Sequence, residues 1–296
     1  MKIFDCFMYL DEELTLDVRL NSLNEYVDYF VIVESKFLHN GEKRNLKFDI
    51  KKYEKFKEKI LYLIYDEESK NVQLINENDD EKEKNRKKIM NAIYRENGQR
   101  NYILNGLIEA NQDDMILISD VDEIPNLSDI NFEKIKEKII MFQQDMLYYK
   151  FNLKIPGVVW TGTRACKKKY LKNPQWLRNI KERNYSPLRI DIIFSEKKYS
   201  NIKFIKKGGW HFTNLKTAEE IKHKLKSYLH HVEYDKNPLT TEEIQEIIQN
   251  KVAIYNLSLD QRINKIGNGE KLIKYEFENL PVYIQKNKLN YQKWLE

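Results

Sequence analysis

Three carboxylates within four residues, Asp120, Asp122 and Glu123, close the apolar run Met115-Ile116-Leu117-Ile118. A short apolar run free of Gly and Pro reads as a buried strand, and Pro125 stops its ladder. In open α/β sheets, ligands sit at the carboxyl ends of such strands. On an extended chain Asp120 and Asp122 point to the same side, roughly 7 Å apart. Carboxylate oxygens bind divalent cations at about 2.0–2.2 Å. One of the pair can therefore ligate a metal directly while its neighbour takes a water or a hydroxyl. Acidic residues after a strand are also ordinary turn formers, so the spacing alone leaves both readings open.

The elements that must position these acids follow from apolar periodicity. Residues 2–10 read as a buried strand, and Leu16, Leu20, Leu23 and Val27 mark one helix face. Residues 29–33 form a second strand that closes on Glu34. Strand, helix and strand in this order imply a parallel pair with a right-handed crossover. A third strand spans 60–65, and the almost wholly polar residues 66–88 read as either a mobile lid or a solvated insertion. The spacing predicts a helix over 87–110 with Glu96 and Arg100 on the face of Ile103 and Leu107, which turns the guanidinium toward the protein. After Pro125 a helix is expected over 131–142. Strands at 146–153, 158–160, 189–194, 202–205 and 210–213 then suggest an antiparallel part joined to the same sheet. A basic, aromatic-bearing stretch lies at 164–183. Thr217 with Glu220, and Thr240 with Glu243, are capping boxes that open C-terminal helices. The expected organisation is an α/β core over residues 1–215 with a helical C-terminal extension, 216–296, packed on it.

Composition bounds the function classes. The 296 residues, 41% hydrophobic and 33% charged, suit an ordered protein with one substantial core. Fifty-one basic against 46 acidic side chains leave a net charge of only +5. That excess is too small to imply nucleic acid, but it is compatible with phosphate-bearing partners or an anionic membrane surface. Cys6 and Cys166 are far apart and lack metal spacing, which fits a reducing compartment. The N-terminus enters a strand pattern with no signal-peptide core, and no apolar run approaches the ~20 residues of a membrane span. A cytosolic protein, with no more than peripheral membrane contact, is expected.

Five separate pieces carry a resemblance, in order: Ile3-Phe4-Asp5-Cys6-Phe7, Asp28-Tyr29-Phe30-Val31-Ile32-Val33-Glu34-Ser35, Arg95-Glu96 with Gln99-Arg100-Asn101, Asp120-Val121-Asp122-Glu123-Ile124-Pro125, and Gly209-Trp210-His211-Phe212. Together they resemble glycosyltransferase family 17 over roughly residues 1–235. The resemblance implies a GT-A, Rossmann-like mixed sheet flanked by helices. It also implies a UDP-sugar donor, N-acetylglucosamine in the known animal enzyme, a glycan or glycolipid acceptor, and inversion at the anomeric carbon.

Such a reaction assigns work to the residues above. A UDP leaving group gathers negative charge as the glycosidic bond breaks, so a divalent cation on the diphosphate, Mn²⁺ or Mg²⁺, stabilises the transition state more than the ground state. Asp122 is the expected direct ligand, Asp120 a ribose or metal-adjacent contact, and Glu123 fits either duty. His211 is the candidate distal ligand, and Trp210 a stacking face for a sugar ring. Glu34 could accept hydrogen bonds from uridine or serve as a turn carboxylate. Arg95 and Arg100 are candidate diphosphate or sugar contacts, with Lys222, Lys224 and Lys226 behind them. Inversion needs a base for the acceptor hydroxyl; Asp191 and Glu233 are candidates between which the sequence does not choose. Two other readings compete. A nucleotidyl- or phosphoryl-transferase would release pyrophosphate instead of free UDP. A binding module without catalysis would hold a UDP-sugar without consuming it.

Overall fold

The computed structural model describes residues 1–227, 234, 238–256 and 269–296. Ten strands form one mixed sheet. They are β1 (Ile3–Tyr9), β2 (Tyr29–Ser35), β3 (Ile60–Tyr65), β4 (Met115–Asp120), β5 (Glu123–Pro125), β6 (Ile139–Tyr148), β7 (Leu153–Lys167), β8 (Ile202–Ile205), β9 (Gly209–Thr213) and β10 (Ile273–Lys274). The main path runs β3-β2-β1-β4-β7-β6-β9-β5. β1 to β4 are mutually parallel, and β7 opens the antiparallel half against β4. The chain moves outward from β1 to β2 and β3, then returns to the other side of β1 for β4. The β1/β4 crevice is therefore the switch point at which ligands of such sheets bind. The expected α/β arrangement, a mixed sheet flanked by helices, is present.

Side-chain alternation divides the core between the two faces of the sheet. Phe7, Phe30, Ile32 and Leu117 pack with Leu16 and Leu20 of α1 (Glu13–Leu23) on one face. Cys6, Val31, Val33, Ile116 and Ile118 pack on the other, with Ile103 and Leu107 beyond α2 (Glu81–Asn101). The helix expected over 87–110 is thus α2 followed by a 3-10 segment, Tyr102–Leu107.

Three expected elements are overturned. One is the strand over 146–153, which instead takes in the end of β6 at Tyr148, the turn after it and the start of β7 at Leu153. The predicted helix over 131–142 is a single 3-10 turn, Phe132–Lys134, and then β6. Ile139-Ile140-Met141-Phe142 is apolar without interruption, and such a run does not separate a two-faced buried strand from a helix. The predicted strand over 189–194 is an exposed helical turn, α4 (Ile190–Ile193), which follows α3 (Pro174–Asn179). It has no neighbouring ladder to pair with.

Past Thr213, both capping boxes form. The Thr217–Glu220 box opens α5 (Ala218–Ser227), and the Thr240–Glu243 box opens α6 (Thr241–Gln249). Ile221, Leu225 and Ile244 cover Met146, Tyr148 and Leu153. The last residues return to the α1 face, where Leu280, Ile284 of α7 (Val282–Lys286) and Tyr291 join the main core. Among the described residues, no helix is long and apolar enough to cross a membrane.

Candidate active site

The turn between β4 and β5 carries all three acids, and Arg19 holds it in shape. Arg19 reaches from α1 through the core with no exposed surface. It pairs with Asp5 of β1 at 2.5 Å. It also donates to the carbonyls of Asp120 (3.1 Å), Val121 (3.2 Å) and Glu123 (2.8 Å). A buried turn has no water to satisfy its carbonyls, so a buried guanidinium does so. β5 then pairs with β9, setting Glu123 opposite His211. Gly209 permits this approach: its φ is +129°, and a Cβ there would overlap the Ile124 carbonyl.

Chain direction changes at Asp120, so the three carboxylates point to different partners. Asp120 lies between Arg100 (3.1 Å) and Arg178 (3.2 Å). Burial disfavours its charge, but Arg178 and Arg100 outweigh burial and hold the carboxyl well below the usual carboxylate range. Glu123 is fully buried and accepts both nitrogens of the Arg178 fork, at 2.7 and 2.9 Å. Trp160 Nε1 and the Asp120 amide occupy the same two oxygens. Asp122 has no arginine. Its Oδ2 faces His211 Nε2 at 3.4 Å, and His211 Nδ1 is buried with no hydrogen-bond partner among the described residues. Burial works against charge on both members of the pair. Their mutual attraction outweighs it, lowering the Asp122 carboxyl and raising the His211 imidazole.

These facts test the donor set for a divalent cation. Glu123 does not fit, because each of its oxygens already accepts two hydrogen bonds. Asp122 and His211 do fit: the carboxylate has no arginine beside it, and its Oδ2 and the His211 Nε2, 3.4 Å apart, could close on one cation once the imidazole is neutral. Among the described residues, no cluster of three or more candidate ligands occurs. A cation at Asp122 and His211 would take its other ligands from a diphosphate and from water, as Mg²⁺ usually does.

Two cavities meet at Asp122. One, open to solvent, lies at the β1/β4 crevice and is walled by Met8, Phe37, Leu38, His39, Gln99 and Asp120. The other lies toward α5 and takes in Thr15, Asn214, Lys216, Glu220 and Lys224. Among the described residues, only Glu12 and Asp122 line both. Glu12 Oε2 accepts the amides of Leu10 and Asp11 at 3.1 Å, and Oε1 has no hydrogen-bond donor among the described residues. Burial lifts the Glu12 carboxyl above its ordinary range, although Lys216 opposes the shift.

The remaining candidates are dispersed. Glu34 is fully buried, and four donors take its oxygens: Arg44, the amides of Lys47 and Phe48, and Tyr62. It therefore anchors the 36–48 loop, which supplies Phe37, Leu38 and His39 to the first cavity, and has no oxygen turned to a ligand. Glu34→Ala should cost about 3 kcal/mol of stability, because a nearly buried guanidinium and two amides lose their acceptor. Urea denaturation checks this, and an unchanged midpoint would mean that the loop is held by other contacts. Arg95 pairs with Glu68 and donates to the His39 carbonyl, bracing that loop from outside. Arg100 reaches the site through Asp120. Trp210 alternates with His211 along β9 and so faces away, donating to the Asn279 carbonyl. Asp191 lies within α4, paired with Arg189 and Lys198, and shares no cavity with Asp122. Glu233 lies outside the described residues. Of the lysines, Lys224 lines the second cavity; Lys222 and Lys226 line neither.

Sequence reasoning missed Arg19, Arg178, Trp160 and Glu12. Arg178 had a local signal, because Asn173-Pro174 is a helix start with a capping Asn and Pro at the first position. Arg19 stood inside the apolar spacing of α1, where a charge must find a buried partner.

The model of glycosyltransferase family 17 matches residues 1–295. No curated protein matches the chain significantly. Among solved structures, one assigned as a putative glucose-1-phosphate thymidylyltransferase from Bacillus anthracis aligns at 14% identity and a TM-score of 0.35, over 71% of this chain and 88% of that one. HddC from Yersinia pseudotuberculosis aligns at 12% and 0.30, over 70% and 91%. The 2-C-methyl-D-erythritol 4-phosphate cytidylyltransferase of Francisella tularensis aligns at 10% and 0.30, over 75% and 98%.

Proposed function

The chain belongs to glycosyltransferase family 17, and on that premise we propose that it transfers a sugar, N-acetylglucosamine, from a UDP donor to a glycan or glycolipid with inversion and with the help of Mn²⁺ or Mg²⁺. One observation carries this reading: Asp122, an acid without an arginine, meets His211 where the switch-point cavity joins a second cavity. The first cavity suits a nucleoside, with apolar walls from Met8, Phe37 and Leu38 and polar groups from His39 and Gln99. Asp122 and His211 would hold the cation, which supplies positive charge to the diphosphate as the glycosidic bond breaks. Asp120 is locked by Arg100 and Arg178, so it shapes the edge on which the donor rests.

The acceptor then enters by the second cavity, and Glu12 is the group placed to receive its proton. Glu12 stands at the junction, is tethered through one oxygen and offers the other. A carboxylate whose pKa lies above the ordinary glutamate range is a better base near neutral pH. Glu12→Gln should lower kcat about a hundredfold with little change in UDP affinity. The acid limb of the kcat/KM profile, set above the ordinary glutamate range by the upward shift, should vanish in the variant. Retention of that limb would assign it to another group.

The reading as a whole is tested by incubating the protein with UDP- and GDP-sugars, with and without Mn²⁺, and identifying the products. Free UDP released only with the metal is expected. Pyrophosphate, or no turnover with bound donor, would replace transfer of a sugar by one of the competing readings.

A further inference from the structure

Four large apolar side chains stand in water within seven consecutive residues: Leu188 (91% exposed), Ile190 (73%), Ile193 (77%) and Phe194 (83%). Single exposed hydrophobics are commonplace, whereas a contiguous group marks an interaction surface. The group is presented on a clasped base. The Lys181 amide donates to the Lys197 carbonyl at 2.7 Å, and the Tyr185 amide to the Tyr199 carbonyl at 2.9 Å. Asn184 is bonded twice to the Ile202 backbone. Tyr185 is buried beneath the tip, with Arg183, Arg189 and Lys198 against its ring. What projects is an apolar tip on a hydrogen-bonded base.

The charge around it is one-sided. The excursion 181–199 holds five Lys and Arg against three Asp and Glu, with Arg189 and Lys198 paired to Asp191, and the wider stretch 164–207 holds 14 against three, in a chain whose net charge is only +5. The rest of the chain is thus net acidic. Arg183 and Lys197 flank the tip in exposed positions. Apolar side chains flanked by cations are the composition of a segment that lies in a membrane interface, with the apolar groups below the headgroups and the cations among them.

We propose that the 181–199 excursion docks this protein on an anionic lipid surface, inserting Leu188, Ile190, Ile193 and Phe194. A second copy of the chain is a poorer occupant, since two like-charged rims would be brought together. Nucleic acid would leave the apolar tip in water. The excursion follows directly from α3, whose Arg178 holds Asp120 and Glu123, so docking would set the candidate site close to the bilayer surface. The inference does not rest on the identity of the transferred sugar.

The test is sedimentation of the full chain with vesicles of phosphatidylcholine alone or mixed with phosphatidylglycerol, in the absence of any sugar donor. Binding to the anionic vesicles alone, weakened by salt, is expected. Ile190→Ser/Phe194→Ser should weaken it about tenfold or more, and Arg183→Glu/Lys197→Glu should remove the preference for anionic lipid. All four residues are exposed, so circular dichroism should stay unchanged in both variants. No sedimentation with either vesicle overturns the proposal, as does undiminished binding by either variant. Dimerisation in solution that the serine variant abolishes, without vesicle binding, also overturns it and assigns the tip to a second copy.

Discussion

Asp122→Asn is expected to reduce sugar transfer about a thousandfold while leaving the fold intact. The substitution keeps the shape of the side chain and removes the charge that would hold a cation. Little stability should be lost, because His211 is the only ion-pair partner of Asp122 among the described residues and no arginine is stranded. Calorimetry with UDP, with Mn²⁺ present or chelated, separates the roles. The parent should bind UDP more tightly with metal, and the variant should lose that difference. Transfer within a few-fold of the parent would remove Asp122 from the chemistry. Asp120→Asn provides the contrast: it leaves Arg100 and Arg178 without their shared carboxylate, so it should lower stability as well as activity.

Arg19→Met should destabilise the protein by about 3–5 kcal/mol, the range for breaking a buried ion pair. Asp5 would keep a charge with nothing to compensate it, and the carbonyls of Asp120, Val121 and Glu123 would lose their donor. Denaturant titration measures the total, and a second variant divides it. Asp5→Leu/Arg19→Met removes both charges, and apolar replacement of a buried pair is often neutral. Whatever deficit the double variant retains belongs to the carbonyls. UDP affinity should remain weakened in both variants, because the turn that carries Asp122 has lost its clamp. A double variant restored in stability and in UDP binding would show that the turn holds its shape unaided.

Much of this architecture is legible from the chain alone, because it depends on neighbours in sequence. Alternation and helical spacing identify β1, α1, β2, β3 and β4, and the side-chain partners three residues apart identify the starts of α5 and α6. The acid-tipped β4 is a local pattern too, and so is the family to which the chain belongs. Where local patterns were ambiguous, as in the apolar run that begins β6, the reading failed.

The division of labour among Asp120, Asp122 and Glu123 was decided in three dimensions. All three are carboxylates within four residues, and nothing in their spacing separates them. Arg178, Trp160 and His211 arrive from distant parts of the chain, and only the folded sheet shows that the first two close over Glu123 while the third meets Asp122. The same holds for Glu34 and Trp210, one enclosed by a loop and the other turned to the opposite face by strand alternation. A carboxylate is a ligand, a counter-ion or a hinge pin according to the donors within about 3 Å of it, and those donors are set by the tertiary fold.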